Sequence, residues 1–158
     1  MVNNETVLSF DLCGIKECQQ NRYPILFVDI ISAVVPGDYA IGHKNFSYNE
    51  WYFPSHYEDD PNVPGFIQVE ALVQVFLMTF LTFPEYKGMK TSFVSINNVK
   101  FRKKIVPGDR LDIKANLKSF KRGMAMGSVT SSVNGIEAAS AEFVVCIPEI
   151  LQSFKPSH

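Results

Sequence analysis

The longest apolar run in the chain, Phe66 to Phe83, is too long for a typical strand, and after it the hydrophobic residues alternate with a period near two. As a helix the run is apolar on nearly every face, so it must be buried. Pro64-Gly65 precedes it and Pro84 stops it. Its 18 residues would span roughly 27 Å. A membrane span is the competing reading, but Glu70 and Gln74 sit inside the run, and ionisable groups within a bilayer are costly. No membrane insertion is expected.

Upstream, Ile25 to Ile31 is rich in β-branched residues and reads as a buried strand. Pro36-Gly37-Asp38 turns the chain, and Tyr39 to Phe46 reads as a returning strand. Residues 49–65 hold Pro54, Pro61, Pro64 and Gly65 around Glu58, Asp59 and Asp60. They read as a long loop of the kind that carries function. Downstream, Lys90–Lys103, Leu111–Phe120, Met124–Val133 and Ile136–Ile147 alternate as strands. Val106-Pro107-Gly108-Asp109, Lys121-Arg122-Gly123 and Asn134-Gly135 separate them as turns, the last a strong hairpin signal. Strands segregated from one long helix give an α+β fold, with the sheet wrapped around the helix. Residues 1–20 are weakly patterned, an extension that caps the domain or stays mobile. The 158 residues fit one domain.

Composition narrows the function. Hydrophobic residues make up 46%, so a core can form. A formal net charge of −1 and a pI near 6.3 argue against a nucleic-acid surface. Cys13, Cys18 and Cys146 are odd in number and contain no C-x-x-C pair. Reduced thiols are therefore expected rather than a disulfide framework or a metal site. The Met-Val-Asn-Asn-Glu start lacks the features of a signal peptide, and a cytoplasmic protein is expected.

Three positions could carry chemistry. His43 lies in a strand and His158 at the terminus, which leaves His56, in the proline-rich loop, as the informative histidine. Glu70 lies one turn into a helix that must be buried. Its desolvation raises the carboxyl pKa toward the range of a general acid. Gln74 follows at i+4 on the same face and can orient that carboxyl. Gly65 falls at the helix start, where unpaired N–H groups can hold a carbonyl oxygen that gains negative charge. A base, an acid and an oxyanion donor suit elimination of water from a β-hydroxy thioester. A loop histidine and a helical glutamate are also common as structural residues.

The segment Tyr52-Phe53-Pro54-Ser55-His56 through Pro64-Gly65-Phe66-Ile67-Gln68-Val69-Glu70-Ala71-Leu72-Val73-Gln74 resembles the active-site region of the FabZ-type (3R)-hydroxyacyl-acyl-carrier-protein dehydratases. That family has Gly-His-Phe-Pro, then Pro-x-x-Pro-Gly, then Glu-Ala-x-x-Gln. Arg22-Tyr23-Pro24, Lys44-Asn45-Phe46 with Asn49-Glu50, and Val106-Pro107-Gly108-Asp109 resemble three further family stretches. The resemblance runs from about Arg22 to Cys146. It implies a hotdog fold and a homodimer in which His56 of one subunit faces Glu70 of the other. Some members assemble further into hexamers, as trimers of dimers.

The resemblance also implies that His56 takes the C2 proton, Glu70 protonates the C3 hydroxyl and the Gly65 N–H binds the thioester oxygen. It implies no metal or redox cofactor, with the acyl group carried on the phosphopantetheine of an acyl carrier protein or of coenzyme A. Ser55 stands where the family has glycine, and Tyr57-Glu58-Asp59 where it has Phe-Pro-Gly. Lys100, Arg102, Lys103, Lys104, Lys121 and Arg122 cluster by sequence and are candidates for docking an acidic carrier protein, or simply solvated strand ends. A thioesterase of the same fold and a non-catalytic acyl-binding or assembly homologue are the alternatives.

Overall fold

The computed structural model describes residues 6–154; the first five residues and His158 lie outside them. One antiparallel sheet is built from β1 (Leu8–Phe10), β2 (Ile30–Val35), β3 (Tyr39–Asn45), β4 (Ser92–Phe101), β5 (Arg110–Lys121), β6 (Met124–Val133) and β7 (Ile136–Cys146). Their spatial order is β1-β2-β3-β5-β6-β7-β4, so β4 forms one edge. Four helices join them: α1 (Leu12–Cys18), α2 (Tyr52–His56), α3 (Gly65–Leu81) and α4 (Pro148–Ser153).

The long apolar run is α3, packed across β2, β3, β5, β6 and β7. From Ala71 to Leu81 every residue is buried, so the helix has no polar face to give to water. Most of its buried polar groups are paired within the protein, as burial requires: the Thr79 hydroxyl donates to the Phe76 carbonyl at 2.7 Å, whereas the buried Gln68 Oε1 has no partner. Phe76 lies 6.0 Å from Phe143 in a stacked pair and 5.9 Å from Phe80. β6 makes room for it with Gly127, where a β-carbon would collide with the Phe76 ring and the Asn116 carbonyl. The Asn134-Gly135 hairpin has φ of 51° and 78°, the left-handed pair that a two-residue turn between twisted strands demands.

The structure differs from the sequence pattern in four places. The segment predicted as a strand over Ile25–Ile31 becomes regular only at Ile30. Before that, the Phe27 N–H donates to Gln74 Oε1 at 2.7 Å and the Ile25 carbonyl accepts from Gln74 Nε2 at 2.7 Å. A helix side chain thus takes backbone groups that a neighbouring strand would otherwise pair. The loop over 49–65 contains the short helix α2, whose Tyr52 and Phe53 are buried. Residues 8–18 are ordered as β1 and α1, and Asp11 caps α1 by accepting from the Gly14 N–H at 2.9 Å. The chain after β7 forms α4, which no periodicity announced.

Candidate active site

α2 exists because Tyr52 and Phe53 bury together at the start of a single turn, while Pro54 sits early enough to need no backbone donor. This leaves His56 half-buried at the helix end. Its Nδ1 lies 3.0 Å from the Asn62 carbonyl oxygen. A carbonyl only accepts, so this bond puts the hydrogen on Nδ1 and leaves Nε2 with the lone pair of a base. The loop that supplies Asn62 is pinned at three points. The Val63 N–H donates to the Ile105 carbonyl at 2.9 Å, Lys104 Nζ meets Asp60 at 2.6 Å, and Gln68 Nε2 donates to the Val63 carbonyl at 3.2 Å.

The departures from the family loop are accommodated there. The Ser55 hydroxyl turns back within 3.1 Å of the Trp51 carbonyl. The Tyr57 ring lies 4.1 Å from the His56 imidazole. Glu58 and Asp59 face solvent.

Gly65 opens α3, where the first N–H groups have no partner within the helix. A β-carbon at Gly65 would lie 3.0 Å from Phe101 Cζ, so a side chain would crowd the approach to that N–H. One turn further on, Glu70 is held from below. Gln74 is fully buried and donates to Glu70 Oε1 at 2.9 Å. Desolvation raises the Glu70 pKa above its ordinary value, and the Gln74 bond, which favours the ionised form, opposes part of that rise. Such a carboxyl retains its proton at higher pH than a surface glutamate does.

Glu70 lines two adjoining cavities. One, of about 530 Å³, is walled by Phe27, Ile67, Val69, Phe93 and Ile96 among others. The other, of about 260 Å³, is shared with Asn21, Val73, Leu77, Phe93 and Ser92. His56 lines neither. Within one chain the structure therefore brings together Glu70 and Gln74, and separately His56 with the loop leading to Gly65. Both Glu70 cavities open along β4. Phe93, Ile96 and Asn21 were not read as site residues from the sequence. They carry no chemical signal of their own and enter only through the packing of β4 and the N-terminal segment beside α3.

The basic candidates fall into two groups. Arg102 pairs with Glu137 at 3.2 Å and Lys104 with Asp60; with Lys103 they follow the end of β4. Lys121 and Arg122 lie at the β5–β6 turn, with the Arg122 guanidinium 5.7 Å from the Phe154 ring. The pairings Lys121↔Met124↔Cys146 and Ser131↔Ala139↔Phe101 put these groups at opposite ends of the sheet. On β7 the two rows lie seven positions apart, at Ala139 and Cys146, roughly 23 Å at about 3.3 Å per residue. Proximity in sequence did not become one patch.

A FabA-like domain matches residues 20–142. The chain belongs to the FabA-like family. Among curated relatives, a protein of Clostridium novyi (strain NT) named 3-hydroxyacyl-[acyl-carrier-protein] dehydratase FabZ is 37% identical over 137 residues, covering 85% of this chain and 96% of the relative. A protein of the same name from Clostridium botulinum (strain Okra / Type B1) is 39% identical, covering 87% and 95%. Among solved structures, the dehydratase heterocomplex ApeI:P from Xenorhabdus doucetiae superimposes with a TM-score of 0.75 at 13% identity, covering 90% of this chain and 98% of that one. The E. coli PaaI protein does so at 0.56, covering 75% and 82%. These structural likenesses place the FabA-like chain in the hotdog fold: an antiparallel sheet wrapped around one central helix.

Proposed function

We propose that this chain removes water from a (3R)-3-hydroxyacyl thioester, carried on an acyl carrier protein, to give the trans-2-enoyl thioester of fatty-acid synthesis. The observation that carries the assignment of the site is Glu70: a desolvated carboxyl with a raised pKa, fixed by Gln74 at the wall of a cavity. The curated relatives with the dehydratase name support the reaction.

The chemistry needs three groups. His56 Nε2 takes the C2 proton. The electron pair left behind moves toward the thioester carbonyl, whose oxygen gains negative charge beside the Gly65 N–H. As the C2–C3 double bond forms, the C3–O bond breaks and Glu70 gives its proton to the departing hydroxyl, which leaves as water. The cycle ends with His56 protonated and Glu70 ionised, and the proton returns between turnovers. All the steps are acid–base chemistry on the substrate.

The base and the acid meet across a dimer. β4 is an edge strand whose Phe93, Val94, Ile96, Val99 and Phe101 are exposed. A long apolar edge of this kind is a template for pairing. A second copy added along β4 would cover Phe93 and Ile96, close the Glu70 cavities and supply its own His56. Self-association, with the acyl carrier protein as the second partner, follows from this reading.

The test is turnover of 3-hydroxyacyl thioesters by wild type, His56→Ala and Glu70→Gln. Enoyl product is expected from wild type, with a fall of about 10²–10⁴-fold in each variant, the usual contribution of a positioned acid or base. Undiminished turnover in either variant overturns its role. Free thiol in place of enoyl product would make the chain a thioesterase.

A further inference from the structure

Three successive peptide groups, from Asn62 to Gly65, join the proposed base to the proposed oxyanion donor, and each is held at a different point. The Asn62–Val63 group accepts from His56 Nδ1 through its oxygen at 3.0 Å and donates its N–H to the Ile105 carbonyl at 2.9 Å. The Pro64–Gly65 group accepts from the Ile67 and Gln68 N–H groups at 3.1 and 3.2 Å, and its own N–H is the donor assigned to the thioester oxygen. The Val63–Pro64 group stands between them. Proline carries no N–H, so the Val63 carbonyl is the one polar handle on this group. Gln68 Nε2 holds it at 3.2 Å.

Burial alone does not explain Gln68. It is 5% exposed, on a helix whose buried residues are mostly apolar. Its Oε1 is buried without a partner, whereas buried polar atoms are ordinarily paired. It stands about 200° around α3 from Glu70 and lines neither of the Glu70 cavities. A methionine or leucine would fill a similar volume and strand no amide oxygen. What the amide supplies in their place is the bond to the Val63 carbonyl.

Resting on the dehydratase reading, we infer that Gln68 is a positioning residue that fixes the base and the oxyanion donor relative to each other. Peptide groups are planar units hinged at their α-carbons. A tilt of the Val63–Pro64 group is therefore passed to the groups on both sides. Pinned by Gln68, the Asn62 carbonyl keeps the hydrogen on His56 Nδ1 and the lone pair on Nε2, while the Gly65 N–H keeps its aim at the thioester oxygen. Unpinned, both shift together, and a displacement of about 1 Å is enough to cost about 10²-fold in rate.

The test uses Gln68→Met and Gln68→Leu in the full chain, with histidine isotopically labelled for nuclear magnetic resonance of the imidazole nitrogens. The chain has three histidines, and His56→Ala identifies the His56 signal. With the ring neutral, wild type is expected to show the Nδ1–H tautomer at His56, and both variants a mixture of the two tautomers. In both, kcat is expected to fall about 10–10²-fold, with KM within about twofold of wild type. Tm stays close to wild type, because each substitution removes one unpartnered atom, Gln68 Oε1, and leaves another, the Val63 carbonyl. An Nε2–H tautomer in wild type overturns the inference before any variant is made. An unchanged His56 spectrum in both variants overturns it whatever the rate, and so does a loss of kcat that only follows a loss of Tm. The spectrum needs no turnover. A Gln68-dependent tautomer in a protein that forms no enoyl product would keep the link from Gln68 to His56 and overturn the dehydratase reading.

Discussion

Gln74 gives one amide hydrogen to Glu70 Oε1 at 2.9 Å and the other to the Ile25 carbonyl at 2.7 Å, while its oxygen accepts from the Phe27 N–H. One buried side chain thus ties the proposed acid to the segment that walls its cavity, with both amide hydrogens and the amide oxygen engaged.

The protonation of Glu70 has a consequence for stability. Its folded pKa lies above the ordinary 4.5 because burial disfavours the charge. The folded state therefore prefers the protonated carboxyl. That preference contributes fully below the unfolded pKa and is lost as pH rises through the raised folded value. Glu70→Gln keeps the shape and the Gln74 bond but has no proton to lose. Thermal denaturation is expected to show a higher Tm than wild type at neutral pH, with the gap closing below pH 4.5, although turnover falls by about 10²–10⁴-fold. A lower Tm than wild type at neutral pH would show that the ionised carboxyl is stabilised by a partner.

Sharing of the site between subunits can be read by complementation. In a mixed dimer of His56→Ala and Glu70→Gln, one site collects both lesions and the other is intact. An equal mixture after full exchange should recover about a quarter of the wild-type rate. Ile96→Lys should leave a monomer by sedimentation, because a charge on an edge strand opposes pairing, and that monomer should be inactive. A fully active monomer would mean that each chain carries a complete site.

Gly65→Ala separates access from fold. The new β-carbon would lie 3.0 Å from Phe101 Cζ, the far end of a ring that is 51% exposed and free to give way. Alanine also suits a helix better than glycine. Tm should hold or rise, while kcat falls by about 10²-fold or more, the scale of a lost oxyanion contact. Unimpaired kcat would remove the Gly65 N–H from the mechanism.

Lys44 is expected to act on His56 from a distance. Its Nζ, nearly buried, lies 2.7 Å from Glu50 and 3.6 Å from Asp29, and Asp29 in turn accepts from the Asn45 N–H at 2.6 Å. Glu50 leads directly into α2, since its carbonyl accepts from the Phe53 N–H at 3.3 Å. Tyr52 of α2 is sealed against this cluster, and burial pushes its hydroxyl far above the usual tyrosine range, with Glu50 and Asp29 adding to the rise. Lys44→Met should cost about 1–3 kcal/mol, the usual penalty for stranding polar partners, and should lower kcat more than it raises KM. Lys44→Arg should restore part of both. A drop in Tm with kcat unchanged would confine Lys44 to stability.

What the sequence determined by itself was local or collinear. The helix over Phe66–Phe83 was legible because no other element stays apolar on every side for so long. The four strands after it were legible because alternation and positive-φ turns are written into neighbouring residues. Glu70 stood out because a carboxylate inside such a run needs an explanation. The tertiary structure decided the rest. Ile25–Phe27 looked like a strand until Gln74, 47 residues beyond Phe27, took its backbone hydrogen bonds. α2 and α4 are too short for periodicity and form where Tyr52, Phe53 and the end of β7 pack. The basic residues looked like one group until strand pairing sent them to opposite ends of the sheet. The cavities that meet at Glu70 arise only where β4 and the segment from Asn21 to Phe27 are laid beside α3. Spacing along the chain records what each residue can do; which groups share a cavity depends on contacts between segments far apart in sequence.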